Sequence, residues 1–310
     1  MRTLRRHDRD GNDEMQRILS AQAQAAYRRY GYLSGLRVMS ETEAAALRGE
    51  VETLERDHAG GAGGHDLKQF FRVNGQVVIP LLARIARHPA VLDIVQDLLG
   101  GDLLVWSAEL FIKEPGDGRI VSWHQDITYW GMGETDEEVT AWIALSPVSE
   151  RAGCMRFLPG SHRQGVVAHA DTFADDNLLS RGQRIEDVDE ARAVPAPLRP
   201  GEMSLHHGRC FHASGPNQAD DRRIGLAIRY VTPAVRQAEL PPDYAMLVRG
   251  VDAGRRWINI AGARALFADG DLALYNRMLR DQAATLAAGA PEAVALYGGA
   301  AMQQEEGTSA

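Results

Sequence analysis

Between residues 103 and 233 the chain is a series of short runs rich in Val, Ile, Leu and aromatic residues, most of them separated by Gly and Pro turns: "LLVWSAELFIKE", "VSWHQD", "EVTAWIALSPV", "GCMRFLPGSH", "GEMSLHHGRCFHAS" and "RRIGLAIRYVTP". Adjacent parallel strands need a crossover of roughly a dozen residues or more, usually a helix, and most of these gaps are too short for one. The runs therefore predict antiparallel strands closing into a barrel or sandwich. One gap is long. Residues 163–197, which include "DTFADDNLLSRGQRIEDVDE", form a polar insertion of the kind that serves barrel proteins as a lid or binding loop.

Helical texture flanks the strands, so the expected class is mainly β with flanking helices. "SETEAAALRGEVETLER" (40–56) opens with a capping box, Ser40 to Glu43, and sets Leu47, Val51 and Leu54 on one stripe. A glycine-rich loop, "HAGGAGGHD" (58–66), leads to a second helical stretch, "IPLLARIARHPAVLDIVQDLLGG", broken at Pro89 and stopped by Gly100 and Gly101. A last helix, "ALYNRMLRDQAATLAAGA", closes the chain's ordered part. With 310 residues and 45% hydrophobic content, we expect a single domain over 18–298, with flexible tails at 1–17 and 299–310.

The charge balance excludes some partners. A formal net charge of −8 and a pI near 5.7 disfavour nucleic acid and anionic membrane, which require a continuous basic field. Two cysteines without a CxxC pairing, and no apolar leader, point to a reduced, cytoplasmic protein. Neither Cys154 nor Cys210 has the setting of a nucleophile; each sits in a strand-like run, as small buried hydrophobes do.

The chemistry is concentrated in "SWHQDITYW" (122–130). Residues two apart on a strand share a face, so His124 and Asp126 project together while Gln125 projects away. An imidazole and a carboxylate, joined by one further imidazole, make the facial triad of non-haem Fe(II) oxygenases and leave positions open for substrate and oxygen. The third ligand must come from a later strand, where "SLHHGRCFHASGPNQADDRR" offers His206, His207 and His212. Arg223 follows at the start of a further strand, and an arginine fork there suits a dicarboxylate beside the metal. Taken singly these are ordinary features, a histidine beside a surface acid and a strand-start arginine; their order along the chain gives them weight.

"WHQD", "TAWIALS", "GCMRFLPGSH" and "FHASGPNQADDRR", in that order, resemble the phytanoyl-CoA dioxygenase family of Fe(II)/2-oxoglutarate-dependent oxygenases. The likeness spans about residues 105–232, and "YGYLSGLRVMSETEAAALR" resembles the family's opening helical region. It implies a double-stranded β-helix (jelly-roll, cupin-like) core and Fe(II) bound by His124, Asp126 and His212. It also implies 2-oxoglutarate held by Arg223 and Ser214 with Trp142 packed nearby, and O2 as co-reactant. Ala213 stands where the family usually has glycine. Tyr129 and Trp130, just past the ligands, are candidate substrate contacts; His162 reads as a turn residue, and His169 as a solvated lid histidine. The activity implied is hydroxylation of an unactivated C–H bond, with 2-oxoglutarate decarboxylated to succinate. Desaturation and epimerisation are alternatives within the same cofactor class, and a non-catalytic cupin-type binding module is the rival from another. Halogenation is disfavoured because Asp126 takes the position a halide would need.

Overall fold

The computed structural model describes residues 18–174, 176–179, 181–235 and 243–286, apart from the side chains of Tyr129 and 284–286. The expected tails at 1–17 and 299–310 lie outside the described residues. In chain order the elements begin with α1 (Ala21–Tyr30), β1 (Tyr32–Arg37), α2 (Glu41–His58), α3 (Leu67–Arg72), α4 (Pro80–Ile85) and α5 (Pro89–Leu99). The strands β2 (Leu103–Lys113), β3 (Val121–His124), β4 (Glu138–Ala144), β5 (Met155–Phe157), β6 (Val194–Ala196), β7 (Glu202–His206), β8 (His212–Ser214) and β9 (Arg223–Val231) follow. β10 (Tyr244–Arg249), β11 (Ile258–Asn259) and α6 (Asp269–Leu286) complete the described fold.

The strands form two sheets, one ordered β1-β7-β4-β9-β2-β10-β11 and a smaller one ordered β3-β8-β5-β6. Every pairing is antiparallel except β10 with β11. This is the jelly-roll core that the short connections required. One difference stands at the front of the chain: within the segment resembling an opening helical region, Tyr32–Arg37 is a strand that pairs with β7. Gly31, at φ +81°, ends α1 and turns the chain into it.

The helix boundaries follow local chemistry. The Ser40 hydroxyl accepts from the Glu43 N–H and starts α2. The Glu43 carboxylate meets His88 Nε2 at 3.2 Å, tying α2 to the α4–α5 turn. Pro80 and Pro89 each occupy the first position of a helix, where the missing N–H costs nothing, and Gly100 ends α5.

Strand alternation sorts the large sheet into two faces. Val139, Ala141 and Ile143 on β4 share one buried apolar cluster with Ile224, Leu226, Ile228 and Tyr230 on β9 and with Val91 and Val95 of α5. Truncating a fully buried residue such as Ile228 to Ala costs about 2–5 kcal/mol. The alternate residues, Thr140 and Trp142 on β4 and Arg223, Ala227 and Arg229 on β9, line a cavity between the sheets. Gly225 lies among them because a Cβ there would stand 1.8 Å from Trp142 Cζ2; the indole covers the bare backbone of β9.

Candidate active site

β3 and β8 pair with His124 opposite His212, and the two ring centroids are 4.1 Å apart. Each ring is oriented by its own strand. His124 Nδ1 donates to Ser122 O at 2.8 Å, and His212 Nδ1 donates to Cys210 O at 3.0 Å. A carbonyl can only accept, so the proton sits on Nδ1 and each Nε2 presents a lone pair, the state a metal requires.

β3 ends at His124, so Asp126 is not on a strand as the spacing suggested; it opens a 3-10 turn, Asp126–Tyr129. Gln125 nevertheless stays extended (φ −113°, ψ 132°), which preserves the alternation for one more residue. Asp126 Oδ1 reaches 3.4 Å from His124 Nε2 and 3.8 Å from His212 Nε2. The three donor atoms all lie within 4.8 Å of one another, and all three residues are buried. Two neutral imidazole nitrogens and one carboxylate oxygen, opening together into a cavity, suit Fe(II) with exchangeable positions left over.

The surroundings set the charge states. Burial pushes the Asp126 carboxyl up, but the Arg229 guanidinium, the adjacent His124 ring, the hydrogen bond from His206, and His212 together hold it well below the usual carboxylate range. Burial, then His124 and His206, drives His212 far below the usual imidazole range. The other carboxylate oxygen is held separately: Oδ2 accepts from Thr140 Oγ1 at 2.7 Å and from His206 Nε2 at 3.2 Å. His206 is thus a partner of Asp126. His207 turns to Asp136 (3.0 Å), whose side chain is largely exposed.

Arg223 lines the same cavity, buried, with its guanidinium 5.0 Å from the Trp142 ring centre. It donates to Gly153 O at 2.8 Å and Ser214 Oγ at 3.3 Å. Burial lowers its pKa to about 10, which leaves it charged at neutral pH. Lys113, opposite Arg223 on β2, donates to Ser214 Oγ at 3.0 Å and to Gly215 O at 2.6 Å. Arg222 faces outward to Glu55 and Glu114.

Gln125 points away from the His124–Asp126–His212 cluster and grips the insertion. Its amide donates to Gly165 O at 2.7 Å and Arg209 O at 2.9 Å, and its carbonyl accepts from Val167 N at 2.9 Å. His169 is a correction to the solvated reading: burial draws its pKa down to about 4, and its Nε2 accepts from Gln125 N at 3.0 Å. The hydrogen bonds of a buried backbone amide outweigh exposure here. His162 Nε2 donates to Arg28 O at 3.2 Å, which ties the Pro-Gly-Ser turn to α1. The Trp130 ring lies tilted 4.7 Å from Trp106 with Arg229 over its face, while the Tyr129 side chain lies outside the described residues.

Thr140, Arg229 and Lys113 were missed from sequence, and His206 was weighed only as a ligand. Their signal was a polar residue recurring at alternate positions inside otherwise apolar strands.

The phytanoyl-CoA dioxygenase family model, PhyH, matches residues 27–225. A probable alpha-ketoglutarate-dependent hypophosphite dioxygenase of Stutzerimonas stutzeri is 30% identical over 227 residues, covering 68% of this chain and 78% of its own. The L-proline trans-4-hydroxylase of Streptomyces griseoviridis is 28% identical over 244 residues, covering 67% of this chain and 85% of its own. Among solved structures, the apo form of the non-haem monooxygenase ThoJ superposes with a TM-score of 0.75 at 34% identity, covering 85% of this chain and 96% of its own. Among the described residues, no helix is long and apolar enough to cross a membrane. A jelly-roll with a buried His-Asp-His cluster, matched in sequence and in fold to such enzymes, places the chain in the phytanoyl-CoA dioxygenase family, as a 2-oxoglutarate-dependent non-haem iron dioxygenase.

Proposed function

We propose that the enzyme hydroxylates an unactivated C–H bond of a small molecule, with iron held by His124, Asp126 and His212. In this reading Arg223 and Ser214 hold the distal carboxylate of 2-oxoglutarate, and Trp142 packs beside it. The observation that carries the proposal is that the donor atoms, all within 4.8 Å of one another, open into the cavity lined by the buried Arg223 guanidinium. A buried cation without a carboxylate partner is costly, and a dicarboxylate seated against it offsets that cost.

Fe(II) with 2-oxoglutarate and O2 supplies the oxidation, the cosubstrate leaving as succinate and carbon dioxide. The chain's own part is geometric. Carbonyls of Ser122 and Cys210 aim the two imidazoles, and Thr140 and His206 fix the carboxylate. Phe111, Val121, Met155 and Leu179 wall the cavity with apolar surface that excludes water. Tyr129 and Trp130 are the proposed substrate contacts by their place directly after the ligands. Relatives named for L-proline and for hypophosphite favour a small substrate, and the acidic charge balance disfavours nucleic acid. Two buried free cysteines are in keeping with a cytoplasmic setting.

The test is a substrate screen with Fe(II) and 2-oxoglutarate assembled anaerobically and then exposed to oxygen. Hydroxylation gives oxygen uptake, succinate, and a product heavier by one oxygen atom. Succinate formed with a product of unchanged mass, or of mass lowered by two hydrogens, would replace hydroxylation by epimerisation or desaturation.

A further inference from the structure

Thr140 Oγ1 lies between two carboxyl groups, 2.7 Å from Asp126 Oδ2 and 3.0 Å from Glu138 Oε1. A hydroxyl has one proton, so it donates to one of them only and must accept at the other. Asp126 is the anion of the pair, since the Arg229 guanidinium lies 4.0 Å from its Oδ1 and His206 donates to its Oδ2. The Thr140 proton therefore belongs to Asp126. Its contact with Glu138 is then attractive only if Glu138 carries a proton of its own.

We infer that Glu138 is kept as a neutral carboxylic acid, a positioning residue that donates to Thr140 and so turns the Thr140 hydroxyl toward Asp126 Oδ2, leaving Oδ1 for iron. The inference rests on the ligand assignment proposed above. Its surroundings favour it. Glu138 is wholly buried, and among the described residues its Oε2 meets only the Gly208 backbone, too poorly aligned for a full hydrogen bond, an arrangement far more costly for an anion than for an acid. Burial and then the Asp126 charge raise its carboxyl well above the usual range, against the smaller opposing pull of Thr140, Arg229 and the Gly208 backbone. Tyr27 of α1 also faces this carboxyl from within the fold. The pocket is closely fitted, since a Cβ on Gly208 would come 2.3 Å from Glu138 Oε2. The opposite proton placement would set the Thr140 and Asp126 oxygens against each other at 2.7 Å with no proton between them.

Infrared difference spectroscopy of the metal-free protein near neutral pH tests the protonation state directly. The expected result is a protonated-carboxyl C=O band that disappears in Glu138→Gln and persists in Asp126→Asn. A wild-type spectrum that loses no such band in Glu138→Gln overturns the inference. Iron titration tests the positioning role. Glu138→Gln can still donate through its amide and should bind Fe(II) within about threefold of wild type, whereas Glu138→Ala should lose roughly ten- to a hundredfold. Equal losses in the two variants, with unchanged melting curves, would also overturn it. Undiminished iron binding by Asp126→Ala would instead remove the ligand assignment, while the infrared result would still report on Glu138.

Discussion

Lys113 and Arg223 stand opposite one another on β2 and β9, and both donate to the Ser214 hydroxyl oxygen, at 3.0 and 3.3 Å. That oxygen has two lone pairs, and both are taken. The Ser214 proton is then available to an acceptor seated in the cavity that Ser214 lines. Ser214→Ala should weaken 2-oxoglutarate binding by about fivefold to tenfold, the value of a single net hydrogen bond. Anaerobic titration of the Fe(II) protein, followed by its charge-transfer absorption, measures the change.

Arg223→Lys should cost more. A lysine cannot reproduce the planar fork, so about 1.5–3 kcal/mol is lost, roughly ten- to a hundredfold in 2-oxoglutarate affinity. Iron binding should be nearly unchanged. Arg222→Lys, on the outer face against Glu55 and Glu114, should leave the same titration untouched. If Arg222→Lys weakens the cosubstrate and Arg223→Lys does not, the cradle has been assigned to the wrong residue.

Burial, with Arg223 adding to it, pushes Lys113 from its ordinary 10.5 down to about 6. Between those values the unfolded chain holds a proton that the folded protein has given up, so this residue's penalty on folding grows as pH falls from 10.5 to 6 and is constant below. Lys113→Met removes the penalty together with the hydrogen bonds to Ser214 and Gly215. The stability of the variant relative to wild type should therefore rise steadily as pH is lowered through this window. Urea unfolding at several pH values reads the slope; a difference independent of pH would show that Lys113 stays charged.

Of the three histidines in the β7–β8 region, His212→Ala should abolish tight Fe(II) binding. His207→Ala should leave it unchanged, because that ring faces Asp136, whose side chain is largely exposed. His206→Ala should be intermediate, roughly ten- to a hundredfold weaker, since it removes a hydrogen bond that holds Asp126. Iron titration of the three variants gives the order, and a larger loss at His207 than at His212 would reassign the ligand.

Gly225→Ala places a methyl group where Trp142 already lies, 1.8 Å from Cζ2. Overpacking of this kind costs about 1–3 kcal/mol. The indole must move, so near-ultraviolet circular dichroism should change along with the melting temperature, and 2-oxoglutarate affinity should fall. An unaltered tryptophan signal would mean that the backbone of β9 yields instead.

Much of the fold could be read from the chain because its signals are local. Apolar and aromatic runs bounded by turns marked β2, β4 and β9, while Ser40, Pro89 and Gly100 marked helix ends. The H-x-D spacing and the "FHAS" motif directed attention to residues that the fold brings together, although the turn that carries Asp126 was not foreseen. What could not be read depends on register between strands distant in sequence. His206, Thr140, Arg229 and Ser107 occupy one row across β7, β4, β9 and β2. Each alone is a polar residue in an apolar run. Only the pairing shows that Thr140 stands between its neighbours on that row, and that the row faces Asp126.

Gln125 gives the molecule a division of labour. The proposed ligands and cosubstrate contacts belong to β2, β3, β4, β8 and β9 or the turn directly after β3, whereas residues 163–197 run as a separate stretch of chain. One side chain, between His124 and Asp126, clasps that stretch at residues 165 and 167. Beyond the clasp the stretch still reaches the cavity, since Leu179 lines it and the Leu178 N–H donates to Ile120 O just ahead of β3. A substitution at Leu179 would therefore redraw the cavity wall while Gln125 keeps the start of the stretch fixed beside the end of β3.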